Sequence, residues 1–343
     1  MLRLPPFDYR RPSSVGEVAA ILTDQGPTAR VVAGGTDLWP NMKRRHQKAD
    51  TVISLMAVPE LRSIEPDREV LGVRIGATAT LSSVHQSEIV RSRFPALTRA
   101  IGSISSPPLR NMGTLGGNLC LDTRCTYYNQ TEGWRRSIDY CMKEEGTICW
   151  VAPSSPRCWA HTASDSAPML AALGARVSLV SKTGDRMLPV SELFLDDGID
   201  YLAKRPEELL TEIHIPSESG AEHCRSSFWK LRRRGSIDFA VVSVAAAVWF
   251  DGDRVTRASV YLGAVGSYPR SVEGLDELLV DRPLTEDRIL EVSQAARRLA
   301  TPMDNTDFKA QWRSVMAERY TQAALREIAG LDPGLMPPNH SML

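Results

Sequence analysis

Apolar positions along the first sixty residues change their period twice, and each change marks an element. Val15, Val18, Ala19 and Leu22 recur at helical spacing inside a Ser14-Val-Gly-Glu17 capping box, which predicts one short helix stopped by Gly26-Pro27. Ala29 to Ala33 and Thr51 to Leu55 are apolar runs of strand length, so the chain opens with a small α/β unit. From Val70 onward, strand-like runs at Val70–Ile75 and Arg176–Val180 accompany helical segments near 82–92 and 166–174, a mixture that argues for α+β. Glu212 to Pro216 closes that region. The polar stretch Ser217 to His223 reads as a linker, with a domain boundary near 216–224 and Cys224 inside it. Beyond it, Ser226–Lys230, Val241–Phe250 and Val255–Ala264 read as strands, with Asp251-Gly252-Asp253 as a hairpin turn. Two or three helices follow to about residue 329, and the Pro-rich end reads as a loose tail.

Composition changes this picture at two points. The 41 basic and 41 acidic side chains give zero formal net charge, so no footprint for nucleic acid or anionic membrane is expected. No run nears the roughly 20 apolar residues that span a bilayer, and no apolar leader follows Met1, which predicts a cytoplasmic protein. In that reducing compartment six cysteines are poor disulfide candidates, and five of them fall between Cys120 and Cys158. Their clustering makes metal binding the chemistry to test. None of the six histidines, His46, His85, His161, His214, His223 and His340, sits in a nucleophile or metal motif, and no residue is assigned a catalytic role.

Two glycine pairs carry the second candidate chemistry. Ala33-Gly34-Gly35-Thr36-Asp37 ends the first strand, and Thr114-Leu115-Gly116-Gly117-Asn118 follows a proline-containing approach. Without a Cβ the backbone can come close to a bulky anion, and consecutive N–H groups can converge on phosphate oxygens. Both loops could grip one pyrophosphate, although an isolated Gly-Gly is commonly a plain turn. Neither has the spacing of a dinucleotide G-x-G-x-x-G or of a P-loop.

With their flanks these segments become specific. Val31-Val32-Ala33-Gly34-Gly35-Thr36-Asp37-Leu38, Arg110 to Asn118 and Ser164-Asp165-Ser-Ala-Pro-Met-Leu170 resemble, in order, three signatures of the FAD-binding subunits of molybdopterin-containing dehydrogenases. The resemblance runs from about Phe7 to about Ile328 and takes in Phe228-Trp-Lys230, Arg234 and Asp238-Phe239. It implies an α+β fold: a two-part FAD-binding domain of the PCMH/vanillyl-alcohol oxidase type over 1–220, divided at 58, then a C-terminal α+β domain over 221–330. That second domain would carry a three-stranded antiparallel sheet and helices, followed by a tail over 331–343. The likeness also implies that Val31 to Leu38 and Thr114 to Asn118 wrap the FAD diphosphate and adjacent ribityl. Asp165 would take a flavin-side hydroxyl, while Leu210 and Lys230 lie near the isoalloxazine ring, where a cation stabilises the anionic reduced flavin. From the residues alone, Lys230 could also be a solvated strand lysine and Asp165 a helix N-cap.

Between the second glycine pair and Ser164 the chain makes a long excursion, 119–163, holding Cys120, Cys125, Cys141, Cys149 and Cys158. It has too few aliphatic residues for a core of its own, and four thiolates around a metal centre would replace the missing burial. The spacing Cys125-x15-Cys141-x7-Cys149-x8-Cys158 matches neither a zinc ribbon nor a bacterial ferredoxin run, so a [4Fe–4S] cluster, zinc and unliganded buried cysteines all stay open. The insertion resembles that of the flavin subunits of 4-hydroxybenzoyl-CoA reductases in the same family. That likeness implies that Cys125, Cys141, Cys149 and Cys158 ligate a [4Fe–4S] cluster, with Cys120 and Cys224 as non-ligands. It further implies electron transfer from a ferredoxin-like carrier through this subunit to a small [2Fe–2S] partner and a molybdopterin-binding large subunit. There 4-hydroxybenzoyl-CoA is dehydroxylated to benzoyl-CoA, in a dimer of heterotrimers. The alternatives are a relative oxidising an aromatic or purine substrate, and a zinc-stabilised FAD-binding interaction subunit.

Overall fold

The first turn of the first helix shows how local chemistry places the opening elements. In the computed structural model, which describes residues 2–67 and 72–335, β1 (Asp8–Arg10) leads into α1 (Val15–Gln25). Ser14 caps α1 by accepting from the Glu17 amide at 3.2 Å, and the Glu17 carboxylate accepts from the Ser13 amide at 2.7 Å, one residue before the cap. Val18, Ala19 and Leu22 are the buried face, and Gly26 at φ 56° ends the helix. After β2 (Ala29–Val32), α2 (Leu38–Lys43) and β3 (Thr51–Ser54), the three strands pair in parallel in the order β1-β3-β2.

The second part contains β4 (Ile64–Pro66), β5 (Val73–Gly76) and the helices α3 (Leu81–Gln86), α4 (Glu88–Arg93), α5 (Pro95–Gly102), α6 (Pro107–Arg110) and α7 (Leu115–Leu119). It continues, past the excursion with its helix α8 (Glu132–Ser137), into α9 (Ser166–Ala172), β6 (Arg176–Ser181), β7 (Gly184–Pro189) and β8 (Leu209–Ile215). The five strands form an antiparallel sheet in the order β4-β5-β8-β6-β7. The strand expected from Val70 is described from Val73, and the part of the expected tail beyond 335 lies outside the described residues.

In the last part, β9 (Cys224–Leu231), β10 (Val242–Asp251) and β11 (Arg254–Gly263) are the three expected antiparallel strands. A two-residue β12 (Arg270–Ser271) adds a fourth at the edge. Asp251 pairs with Arg254, so the hairpin has a two-residue loop with Gly252 at φ 61°. Helices α10 (Leu275–Leu279), α11 (Glu286–Leu299) and α12 (Ala310–Ala329) complete it. Along β10, Ala245, Ala247 and Trp249 join the core of the preceding part, whereas Val244, Ala246 and Val248 join the core under α11 and α12. Burial on both faces explains why this strand reads as an unbroken apolar run. It also corrects the linker reading of Cys224. That residue is 4% exposed at the start of β9 and packs in the same core as Ile213 and Phe228, so one hydrophobic core crosses the expected boundary.

Candidate functional site

A cleft of about 420 Å³ is lined by β2 and the loop after it, by α7, and by segments around 201–210 and 237–239. Its size lies within the roughly 300–1,000 Å³ typical of small-molecule and cofactor sites. Every residue from Val31 to Leu38 lines it, together with Thr114, Gly116, Gly117, Asn118, Asp165 and Leu210. Leu115 and Lys230 do not: Leu115 is wholly buried in the core, and Lys230 lies behind Asp165.

The two glycine loops build this wall differently. A Cβ on Gly34 would lie 1.7 Å from the Met112 carbonyl oxygen, and one on Gly116 would lie 2.7 Å from Ala77 Cβ, so both glycines are required by close backbone approach. In the second loop, however, the amides of Leu115, Gly116 and Asn118 donate to Ala79, Ala77 and Thr114 carbonyls at 2.9–3.0 Å, and Gly117 donates to Thr114 Oγ1 at 3.1 Å. These amides have partners within the chain, because Gly116 and Gly117 sit inside a helical turn that Thr114 caps, while the turn itself lines the cleft. Among the described residues nothing accepts from the amides of Gly34, Gly35, Thr36 or Asp37, which leaves these four donors unused in a loop that lines the cleft.

Asp165 is 4% exposed, and its Oδ2 accepts from Lys230 Nζ at 2.6 Å. Lys230 also donates to the Ser103 and Asp238 carbonyls, at 3.1 and 2.9 Å, and at 3% exposure it is not a solvated strand lysine. Burial pushes the Asp165 carboxyl up from its usual range, against the pull of the Lys230 ammonium. Asp165 Oδ1 is buried without a partner among the described residues, and such an acceptor beside a cleft calls for a donor. Its side chain makes no cap bond to α9; Ser164 Oγ accepts from the Ala167 amide instead, at 3.1 Å. Asn118 Oδ1 collects the Ser164 and Ser166 hydroxyls and the Ser166 amide, at 2.9, 2.6 and 3.2 Å, bracing the second loop against α9.

The excursion adjoins this wall, and its ends, at Cys120 to Asp122 and at Ala163, line the cleft. Its neck is a backbone pair between Arg124 and His161, 2.8 Å in each direction. Arg135 is buried and bonds Glu144 and the Arg44 carbonyl, while buried Lys143 reaches Asp122 at 2.7 Å. Asn305 of the last part joins it on both sides, accepting from the Thr126 amide and donating to the Trp159 carbonyl. Inside, Cys125, Cys141 and Cys158 pack together with Tyr128 and Ala160, and Cys149 lies beside Cys158. All four are 9% exposed or less. Burial pushes the Cys125 thiol up to about 11, whereas the close pairing of Cys149 with Cys158 draws Cys149 down and holds Cys158 up. Among the described residues no group of three or more His, Cys, Asp or Glu is arranged to hold a metal ion. A metal centre in this segment would have these four buried thiols, with few aliphatic companions, as its donors. Cys120 lies apart, on the cleft wall, and Cys224 in β9. Asp122, Tyr201, Lys204 and Ile237 to Phe239 also line the cleft, and the sequence reading gave none of them a place there.

Residues 5–218 match the family described as the FAD binding domain in molybdopterin dehydrogenase, and residues 226–328 match the CO dehydrogenase flavoprotein C-terminal domain. The chain belongs to this family and is an FAD-binding oxidoreductase subunit of the molybdenum hydroxylase type. The beta subunit of caffeine dehydrogenase from a Pseudomonas species is 27% identical over 94% of this chain and 95% of its own. The FAD-binding subunit of an aldehyde oxidoreductase from Escherichia coli is 32% identical over 80% and 86%. Carbon monoxide dehydrogenase from Hydrogenophaga pseudoflava aligns in structure with a TM-score of 0.78 at 25% identity, over 94% of this chain and 97% of that one, in agreement with the expected mixed fold. No helix among the described residues is long and apolar enough to cross a membrane.

Proposed function

We propose that this subunit carries electrons between an external one-electron donor and partner subunits, using FAD in the cleft and a [4Fe–4S] cluster on Cys125, Cys141, Cys149 and Cys158. The observation that carries the reading is the gathering of four buried thiols in an excursion packed on the cleft wall. The cleft residues suit FAD. Free amides at Gly34 to Asp37 would hold the diphosphate, and the orphaned Asp165 Oδ1 would accept from a flavin-side donor. Lys230 would keep Asp165 in place and put a buried positive charge behind it. When bound, FAD supplies the exchange between two-electron and one-electron transfer. The partners would be a small [2Fe–2S] subunit and a molybdopterin-binding large subunit, with a ferredoxin-like donor, in a cytoplasmic dimer of heterotrimers.

The cysteine insertion favours reductive dehydroxylation of 4-hydroxybenzoyl-CoA to benzoyl-CoA as the reaction of the assembled enzyme. A second reading, oxidation of an aromatic or purine substrate with electrons leaving through this subunit, is favoured by relatives such as caffeine dehydrogenase. Iron, sulfide and zinc analysis with EPR of the anaerobically purified complex tests the cluster. About four irons per FAD and a reduced-cluster signal are expected, and stoichiometric zinc would overturn it. Assays with reduced dye and 4-hydroxybenzoyl-CoA, against oxidised dye and a purine, separate the two reactions.

A further inference from the structure

The excursion touches both walls of the cleft through a single side chain. Arg124, the residue before Cys125, is 12% exposed in its side chain and forms an ion pair with Asp37 of the first glycine loop. The same guanidinium lies over the Phe239 ring, 4.7 Å from its centroid. Asp37 and Phe239 both line the cleft, one from the N-terminal part and the other from the segment after β9. Phe239 is 45% exposed, and the segment that presents it is bent. Ile237 stands at φ 51°, a costly conformation for a β-branched residue. Its amide donates to the Ser105 carbonyl at 3.0 Å, and Ser105 is itself at φ 51°. Arg234 Nε holds the Ile237 carbonyl at 3.0 Å. The strained segment is thus tied down at Ser105 and, by Lys230, at the Asp238 carbonyl, and it meets Arg124 at Phe239.

We propose that Arg124 is a positioning residue of the cleft, holding the Asp37 wall and the Phe239 wall at a fixed separation so that a bound dinucleotide escapes slowly. The proposal rests on the reading of this cleft as the FAD site. Arg124 does not itself line the cleft, so it acts through its two partners. It does so in two ways. It ties Asp37, 87 residues before it, to Phe239, and it neutralises a carboxylate beside the amides that would hold a diphosphate. Without it, burial would push the Asp37 carboxyl further up, and whatever charge it kept would repel that anion.

The test uses the full complex and the variants Arg124→Gln, Arg124→Lys, Phe239→Leu and the double variant Arg124→Gln/Phe239→Leu. FAD release after dilution is followed by flavin fluorescence, with iron per chain measured alongside. Arg124→Gln should release FAD about tenfold faster than wild type. Arg124→Lys should recover part of the loss, and the double variant should be less impaired than the product of the single effects. Unchanged release in Arg124→Gln, multiplicative single effects, or loss of iron in parallel with FAD would each overturn the proposal. A wild-type complex without FAD would instead defeat the cleft reading beneath it.

Discussion

Replacing Gly34 by alanine tests the closest approach in the cleft wall. The new Cβ would stand 1.7 Å from the Met112 carbonyl oxygen and 2.3 Å from its carbon, both backbone atoms that cannot swing aside. Real Cβ contacts essentially never fall below 3.0 Å, so the two segments must part by at least the difference, 3.0 − 1.7 = 1.3 Å. Overpacking of this kind costs about 1–3 kcal/mol. That strain falls on the loop whose free amides face the cleft, so FAD affinity should drop roughly tenfold to a hundredfold. Titrating deflavinated protein with FAD and following fluorescence quenching measures it. Gly16→Ala is the control, since nothing lies within 4 Å of a Cβ there. A Gly34→Ala protein with wild-type FAD affinity and an unchanged unfolding midpoint would show that the close approach has no functional consequence.

Lys230→Met leaves the Asp165 carboxyl buried without its cation and should cost about 3–5 kcal/mol in urea unfolding, most of it restored by adding Asp165→Asn. A loss below about 1 kcal/mol would mean that the pair contributes little. Serine at Cys125, Cys141, Cys149 or Cys158 should each remove most of the iron and expose the excursion to protease, whereas serine at Cys120 or Cys224 should leave iron content unchanged; iron analysis decides. Burial holds His46 and His161 down to about 4 from 6.5, so below pH 6.5 the unfolded chain takes up protons that the folded chain refuses. Their contribution is complete above pH 6.5 and is lost as the pH falls towards 4, about 1 kcal/mol for each histidine between pH 6.5 and 5.5. His46→Gln should flatten that slope by about half in urea titrations at the two pH values.

Elements were legible where the signal is local. The cap at Ser14, the stop at Gly26 and the hairpin at Gly252 depend on neighbours within four residues, and the chain forms each as its pattern requires. The second glycine pair carries a local signal of its own. Thr114, three residues before Gly117, is an N-cap, and its hydroxyl accepts from the Gly117 amide. Lys230 was partly legible. Strand alternation puts it on the face of Phe228, which packs in the larger core, and not on that of Trp229; a lysine on a strand buried on both faces must find an anion, here Asp165. Arg124 had no such signal. Its partners, Asp37 and Phe239, lie far from it along the chain in opposite directions, and only the closed fold brings all three to one place. Short-range patterns therefore write the walls of this site, whereas the charges that join the walls depend on the order in which the parts pack. In this chain that joint falls beside Cys125, at the neck of the segment that carries the thiols.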